Sequence, residues 1–184
     1  MKFIAGIMVG IVLVSVVGFG YFLSGGAPVA VADKMMPFER FLAKGALHAR
    51  IEKEMRKDVP ITAGEGTYMA GAKVYTRDCA TCHGFPNMEP GPIAEGMFPK
   101  PPRLFRGKGV TDDEPGETYW KVANGIRLTG MPAFKGSLSE TEMWQVTVLL
   151  ANADKISDAV KDQLKPDFGP PPVPGQRPPA SKTR

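Results

Sequence analysis

The run Cys79-Ala80-Thr81-Cys82-His83 holds two thiols two residues apart and an imidazole directly after the second; these are the only two cysteines of the chain and one of its two histidines. C-x-x-C-H is the spacing of covalent haem attachment, in which both thiols bond to the porphyrin edge and the adjacent imidazole supplies one axial nitrogen to the iron. Two intervening residues let one turn of backbone hold both sulfurs against the same side of the ring. Two cysteines at this spacing make a poor disulfide framework, and with one further histidine they supply too few soft ligands to close a zinc site. The expected cofactor is one covalent haem c held by Cys79, Cys82 and His83.

The second axial ligand has to come from elsewhere, and Met88, Met97, Met131, Met143 and His48 are the candidates. Met131 is favoured. It stands between Gly130 and Pro132 in a stretch too broken for a helix, where the proline restricts itself and its neighbour and can aim a thioether inward. Met143 falls inside a helical pattern, Met88 and Met97 read as packing or loop residues as methionine usually does, and His48 belongs to an amphipathic segment. Histidine and methionine together fill both axial positions, which suits the iron to passing single electrons rather than to binding a substrate.

Several elements must position these groups. Ser139 followed three residues later by Glu142 is a capping-box signature, and Met143, Val146, Leu149 and Leu150 then share an apolar face, with Trp144 and Val148 adjoining. This is expected to be the helix that closes the core. At the other end, residues 3–23 carry no charge and no proline, a run long enough to span a membrane as a helix. Ala30-Val31-Ala32 keeps open a signal peptide cleaved after residue 32, but signal cores usually run only about 7–15 residues, and the retained anchor is favoured. Lys2 before the span places the rest of the chain on the outer side of the cytoplasmic membrane. Residues 37–57 space Phe38, Phe41, Leu42, Ala46, Ala49 and Ile51 mostly three and four apart among basic residues, which predicts an amphipathic helix lying on lipid, on a partner or on the haem domain.

The expected organisation is a membrane anchor at 1–26, a linker with the amphipathic helix at 27–66, the haem domain at 67–153 and a proline-rich disordered tail at 154–184. The net charge of +4 belongs to the flanks, because residues 67–153 hold nine Lys or Arg and nine Asp or Glu. With no basic stripe carrying interleaved aromatics, nucleic-acid binding is not expected.

The segments Gly71-Ala-Lys-Val-Tyr-Thr-Arg-Asp-Cys-Ala-Thr-Cys-His-Gly84 and Asn124-Gly-Ile-Arg-Leu-Thr-Gly-Met-Pro-Ala-Phe134, followed by the helix containing Trp144, resemble the class I cytochrome c family over residues 67–153. The resemblance implies an all-α class I cytochrome c fold around one haem, with Met131 as the axial methionine. It also implies that Gly71 and Tyr75 lie where the first helix of the domain crosses the last. Pro102-Arg103-Leu104 is similar to the family's Pro-x-Leu segment, which implies that the Pro102 carbonyl accepts a hydrogen bond from His83. Arg103 and Arg106 are candidates to pair with haem propionates.

The expected role is a single-electron carrier, not an enzyme, working between redox proteins such as a quinol-oxidising complex, a terminal oxidase or a dehydrogenase. A subunit of a periplasmic dehydrogenase is the alternative within electron transfer. A haem peroxidase or a gas sensor is the alternative outside it, and either would need an open or displaceable axial ligand. Lys100, Arg103, Arg106 and Lys108, followed by Asp112, Asp113, Glu114 and Glu117, read as a charged surface loop that could steer docking.

Overall fold

A computed structural model describes residues 2–106 and 113–166 of the chain. All regular structure among these is helical, with no strand. The chain divides into two compact units, Met1–Lys53 and Glu54–Arg184.

The first unit opens with α1 (Lys2–Leu23), whose only charge is Lys2 and in which no residue is buried. At about 1.5 Å per residue its 22 residues reach roughly 33 Å, enough to cross a hydrocarbon core of about 30 Å. The following loop is held by Asp33, whose carboxylate accepts from the backbone N–H groups of Val29 and Ala30 at 2.9 and 2.8 Å. Then comes α2 (Glu39–Glu54), shorter at both ends than the 37–57 expected from periodicity. Glu39 starts it by accepting from the Met36 N–H at 2.9 Å. Phe38, Phe41 and Leu42 are exposed.

The second unit is built on a crossing of α3 (Glu65–Val74) with α7 (Glu140–Ala151). Gly71 makes the crossing. A Cβ there would sit 2.3 Å from the carbonyl oxygen of Gln145, so only a residue without one lets the two backbones approach this closely. Around the crossing Ala72, Val74, Tyr75, Val146, Leu149 and Leu150 form the buried core. The capping box at the start of α7 is in place: Ser139 Oγ accepts from the Glu142 N–H and the Glu142 carboxylate accepts from the Ser139 N–H. Trp144, fully buried, stacks on Tyr119 at 4.2 Å between ring centroids, which joins α7 to α6 (Pro115–Asn124).

Three expectations need correction. The core does not end at Ala153: α8 (Asp158–Gln163) packs on α3 and adds Ile156, Val160 and Leu164 to the buried cluster, so these residues belong to the domain rather than to a disordered tail. Ser157 caps α8 and donates to the Glu65 carboxylate at 2.6 Å, while Thr76 donates to the Gln163 carbonyl at 3.2 Å. The compact unit also begins before residue 67, since Met55 is buried and Arg56 pairs with Glu140 at 2.6 Å. Finally, Glu114 and Glu117 are not loop residues. Glu114 is the N-cap of α6 and Glu117 sits in its first turn, where Lys121 pairs with it at 2.6 Å and negative charge faces the positive helix end. Lys108, Asp112 and the proline-rich run from 167 to 184 lie outside the described residues.

Candidate haem site

Beyond Val74 the chain does not simply continue α3 into the cysteine motif. Residues Tyr75–Cys79 form a π-helical turn, with the Ala80 N–H bonded to the Tyr75 carbonyl, and α4 (Ala80–His83) follows. The wider turn re-aims the backbone just where Cys79 leaves it. Tyr75 fastens this arrangement. Its ring is fully buried and its hydroxyl donates to the Gly84 carbonyl at 2.7 Å, tying the end of the first core helix to the residue after His83. Burial pushes the phenol well above its ordinary range, so it stays a neutral donor. The ring of Phe105 meets it edge-on at 4.9 Å.

The two thiols and the imidazole come from consecutive turns of one short segment. Cys79 packs against the hydrophobic core, and burial pushes its thiol up to about 12. A thiol in that position is uncharged at neutral pH, which disfavours a metal thiolate there. His83 Nδ1 lies 2.7 Å from the Pro102 carbonyl oxygen. A carbonyl only accepts, so Nδ1 carries the proton and Nε2 keeps its lone pair for a metal. Burial lowers the His83 pKa and the Pro102 bond partly opposes this, leaving the neutral ring a ligand requires. Pro102 lies beyond the short helix α5 (Pro92–Glu95), and among the carbonyls of residues 92–102 it is the one that meets His83, as the family resemblance implies.

Met131 sits on a loop with its own internal ties. The Met131 N–H donates to Thr129 Oγ1 at 3.1 Å, Thr129 Oγ1 donates to the Ile126 carbonyl at 2.7 Å, and the Ile126 N–H returns to the Met131 carbonyl at 3.2 Å. The loop is then stitched to the end of α6 by the N–H groups of Phe134 and Lys135 on the carbonyls of Val122 and Ala123. Gly125 starts it with φ +66°, and a Cβ there would lie 2.8 Å from the Met131 carbonyl oxygen. No other residue fits that turn without moving the methionine.

Met131 packs half-buried on the same core cluster as Cys79, together with Phe85, Leu104, Phe105 and Phe134. Two thiols able to form thioethers, an imidazole whose Nδ1 is taken by a carbonyl, and a methionine on a braced loop fit the donor set that a haem c requires. Among the described residues no group of three or more His, Cys, Asp or Glu is placed to hold a metal ion in another way.

Met143 is buried within α7, and His48 lies exposed on α2. Met97 packs against the backbone of Gly130, next to Met131, a contact that no local spacing announces. Arg103 donates to the Met88 carbonyl at 2.7 Å and pairs with Glu89, which also pairs with Arg106 at 2.8 Å, so both arginines are held together beside the loop after His83. Thr129, Gly125 and Tyr75 all position the site. Of these, only Tyr75 is flagged by the sequence, through the family resemblance and for a different contact.

The all-helical fold, the C-x-x-C-H turn and the family match that covers residues 66–150 together mark that segment as a c-type cytochrome domain, the kind of domain that holds haem c and passes electrons. Residues 66–150 match the family model described as cytochrome c oxidase, cbb3-type, subunit III. Among solved structures, a chain of the reducing HAO-like protein complex of Kuenenia stuttgartiensis is similar at 30% identity and a TM-score of 0.45; the match covers 53% of this chain and 48% of that one. The chain thus spans about half the length of that structure. No curated protein matches it.

Proposed function

We propose that the chain is a membrane-tethered carrier of single electrons with one haem c, bonded to Cys79 and Cys82 and ligated by His83 and Met131. The observation that carries this reading is the 2.7 Å contact of His83 Nδ1 with the Pro102 carbonyl, which commits that nitrogen and turns Nε2 toward coordination within a C-x-x-C-H turn. Haem c bound there supplies one-electron chemistry at its iron. The protein's part is to hold the imidazole by Pro102, the methionine loop by Thr129 and Gly125, and the attachment turn by Tyr75. With His83 and Met131 both held by these contacts, the group would supply electron transfer with little rearrangement of the residues around it.

The apolar α1 supports tethering in the cytoplasmic membrane with the haem domain outside, where a tether raises the effective concentration of membrane redox partners. Of a quinol-oxidising complex, a terminal oxidase and a dehydrogenase, the description of the matching family favours an oxidase. The test is the intact mass and pyridine haemochrome spectrum of protein purified from its native membranes. One haem on residues 1–184 and a far-red sulfur-to-iron band in the oxidised protein are expected. Absence of covalent haem would refute the reading, and a mass beginning at Asp33 would refute the tether.

A further inference from the structure

The tether reading leaves unexplained a surface in the first unit, after α1. Met35, Met36, Phe38, Phe41, Lys44 and His48 line a shallow apolar groove open to solvent at the start of α2. Phe38 and Phe41 are each 76% exposed and Leu42 64%, an unusual display of large apolar side chains for a surface helix. Phe38 moreover holds a left-handed backbone, at φ 64°, to begin the helix.

We infer that this groove seats on an anionic lipid surface, with the Phe38 and Phe41 side chains entering the acyl boundary and Lys34, Arg40 and Lys44 meeting headgroup phosphates. The inference rests on the reading of α1 as a membrane span, and two observations select lipid as the occupant. The first is continuity. Only residues 24–37 separate the end of α1 from Phe38, a stretch that reaches at most about 50 Å and is shortened by the Asp33 turn, so the start of α2 stays within range of the bilayer surface. The second is charge. Lys34, Arg40 and Lys44 outnumber the acidic groups of this stretch, Asp33 and Glu39, whose carboxylates face backbone N–H groups, so the net charge beside the aromatics is positive. Aromatic and methionine side chains between basic ones make the pattern of an interfacial helix.

The experiment uses the full haem-loaded chain, in which the native cysteines are consumed by the cofactor, leaving one introduced cysteine for a nitroxide. Phe41→Cys labels the groove, and Ala43→Cys labels the opposite face of α2. Reconstitution into vesicles of phosphatidylethanolamine and phosphatidylglycerol, or of phosphatidylcholine alone, is followed by comparing nitroxide relaxation by oxygen and by a water-soluble nickel chelate.

The groove label is expected to favour oxygen and exclude nickel in anionic vesicles, and the opposite label to do the reverse. The difference is expected to shrink in phosphatidylcholine and in the Arg40→Glu, Lys44→Glu variant. Equal nickel access at both positions would overturn the inference. So would a groove label shielded from both reagents in detergent as well as in vesicles, which would mean a protein occupant. Alkaline carbonate extraction of the same membranes reads α1 separately: release of the protein would overturn the tether, whatever the labels report.

Discussion

Replacing Gly71 by alanine is the sharpest test of how the haem domain is assembled. The new Cβ would lie 2.3 Å from the Gln145 carbonyl oxygen, 2.8 Å from its carbon and 2.9 Å from Leu149 Cβ. The first of these is roughly 1 Å short of an ordinary carbon–oxygen contact of about 3.3 Å. Two of the three opposing atoms are backbone, so no rotamer change relieves the clash and α3 and α7 must part. Overpacking of this kind costs about 3 kcal/mol at the upper end of its usual range. The better helix propensity of alanine returns about 1 kcal/mol, for a net loss of about 2 kcal/mol. In a domain of this size that lowers the melting temperature by about 10 °C.

The assay is thermal and guanidinium unfolding of the haem-loaded protein, followed by far-ultraviolet circular dichroism and haem absorbance, with Gly66→Ala as the control. Gly66 lies on the same helix, and a Cβ there meets nothing within 4 Å, so its alanine variant is expected to be as stable as the parent or more so. If Gly71→Ala were also as stable as the parent, the close crossing would be refuted as the basis of the core.

Tyr75→Phe removes the buried hydroxyl and leaves the Gly84 carbonyl without its donor, a loss expected at about 1–3 kcal/mol in chemical denaturation, with haem content unchanged. Met131→Ala is expected to abolish the far-red sulfur-to-iron band, lower the midpoint potential and open the reduced protein to carbon monoxide, whereas Met97→Ala keeps the band. Retention of the band in Met131→Ala would exclude Met131 as the axial ligand. Glu142 is held below the usual carboxylate range first by the Ser139 N–H, then by the Ser139 hydroxyl and Arg77. A depressed carboxylate stabilises the fold above its ordinary pKa and stops doing so as pH falls through the lowered one. The denaturation midpoint is therefore expected to fall below about pH 4.5 by less in Glu142→Gln than in the parent.

Much of the chemistry was legible without coordinates because it is local. Cys79, Cys82 and His83 are brought together by covalent spacing along one turn, Ser139 and Glu142 satisfy each other three residues apart, and an uncharged run such as 3–23 is read from composition. Charge and apolar patterning likewise announced α7. Helix α8 escaped because its six residues are too short for periodicity to stand out, and its place is decided by Val160 and Leu164 meeting α3 from far along the chain.

The same holds within the site. Spacing alone left several prolines between 92 and 102 able to offer a carbonyl to His83; the family resemblance pointed to Pro102, and folding brings it to 2.7 Å. The partners of Arg103 among the described residues, Glu89 and the Met88 carbonyl, likewise follow from folding and not from spacing. Residues that react or cap through bonds close along the backbone were determined by the sequence itself. Which carbonyl, counter-ion or glycine stands opposite them was decided by tertiary structure, because those neighbours are set by how separate helices pack and not by spacing along the chain.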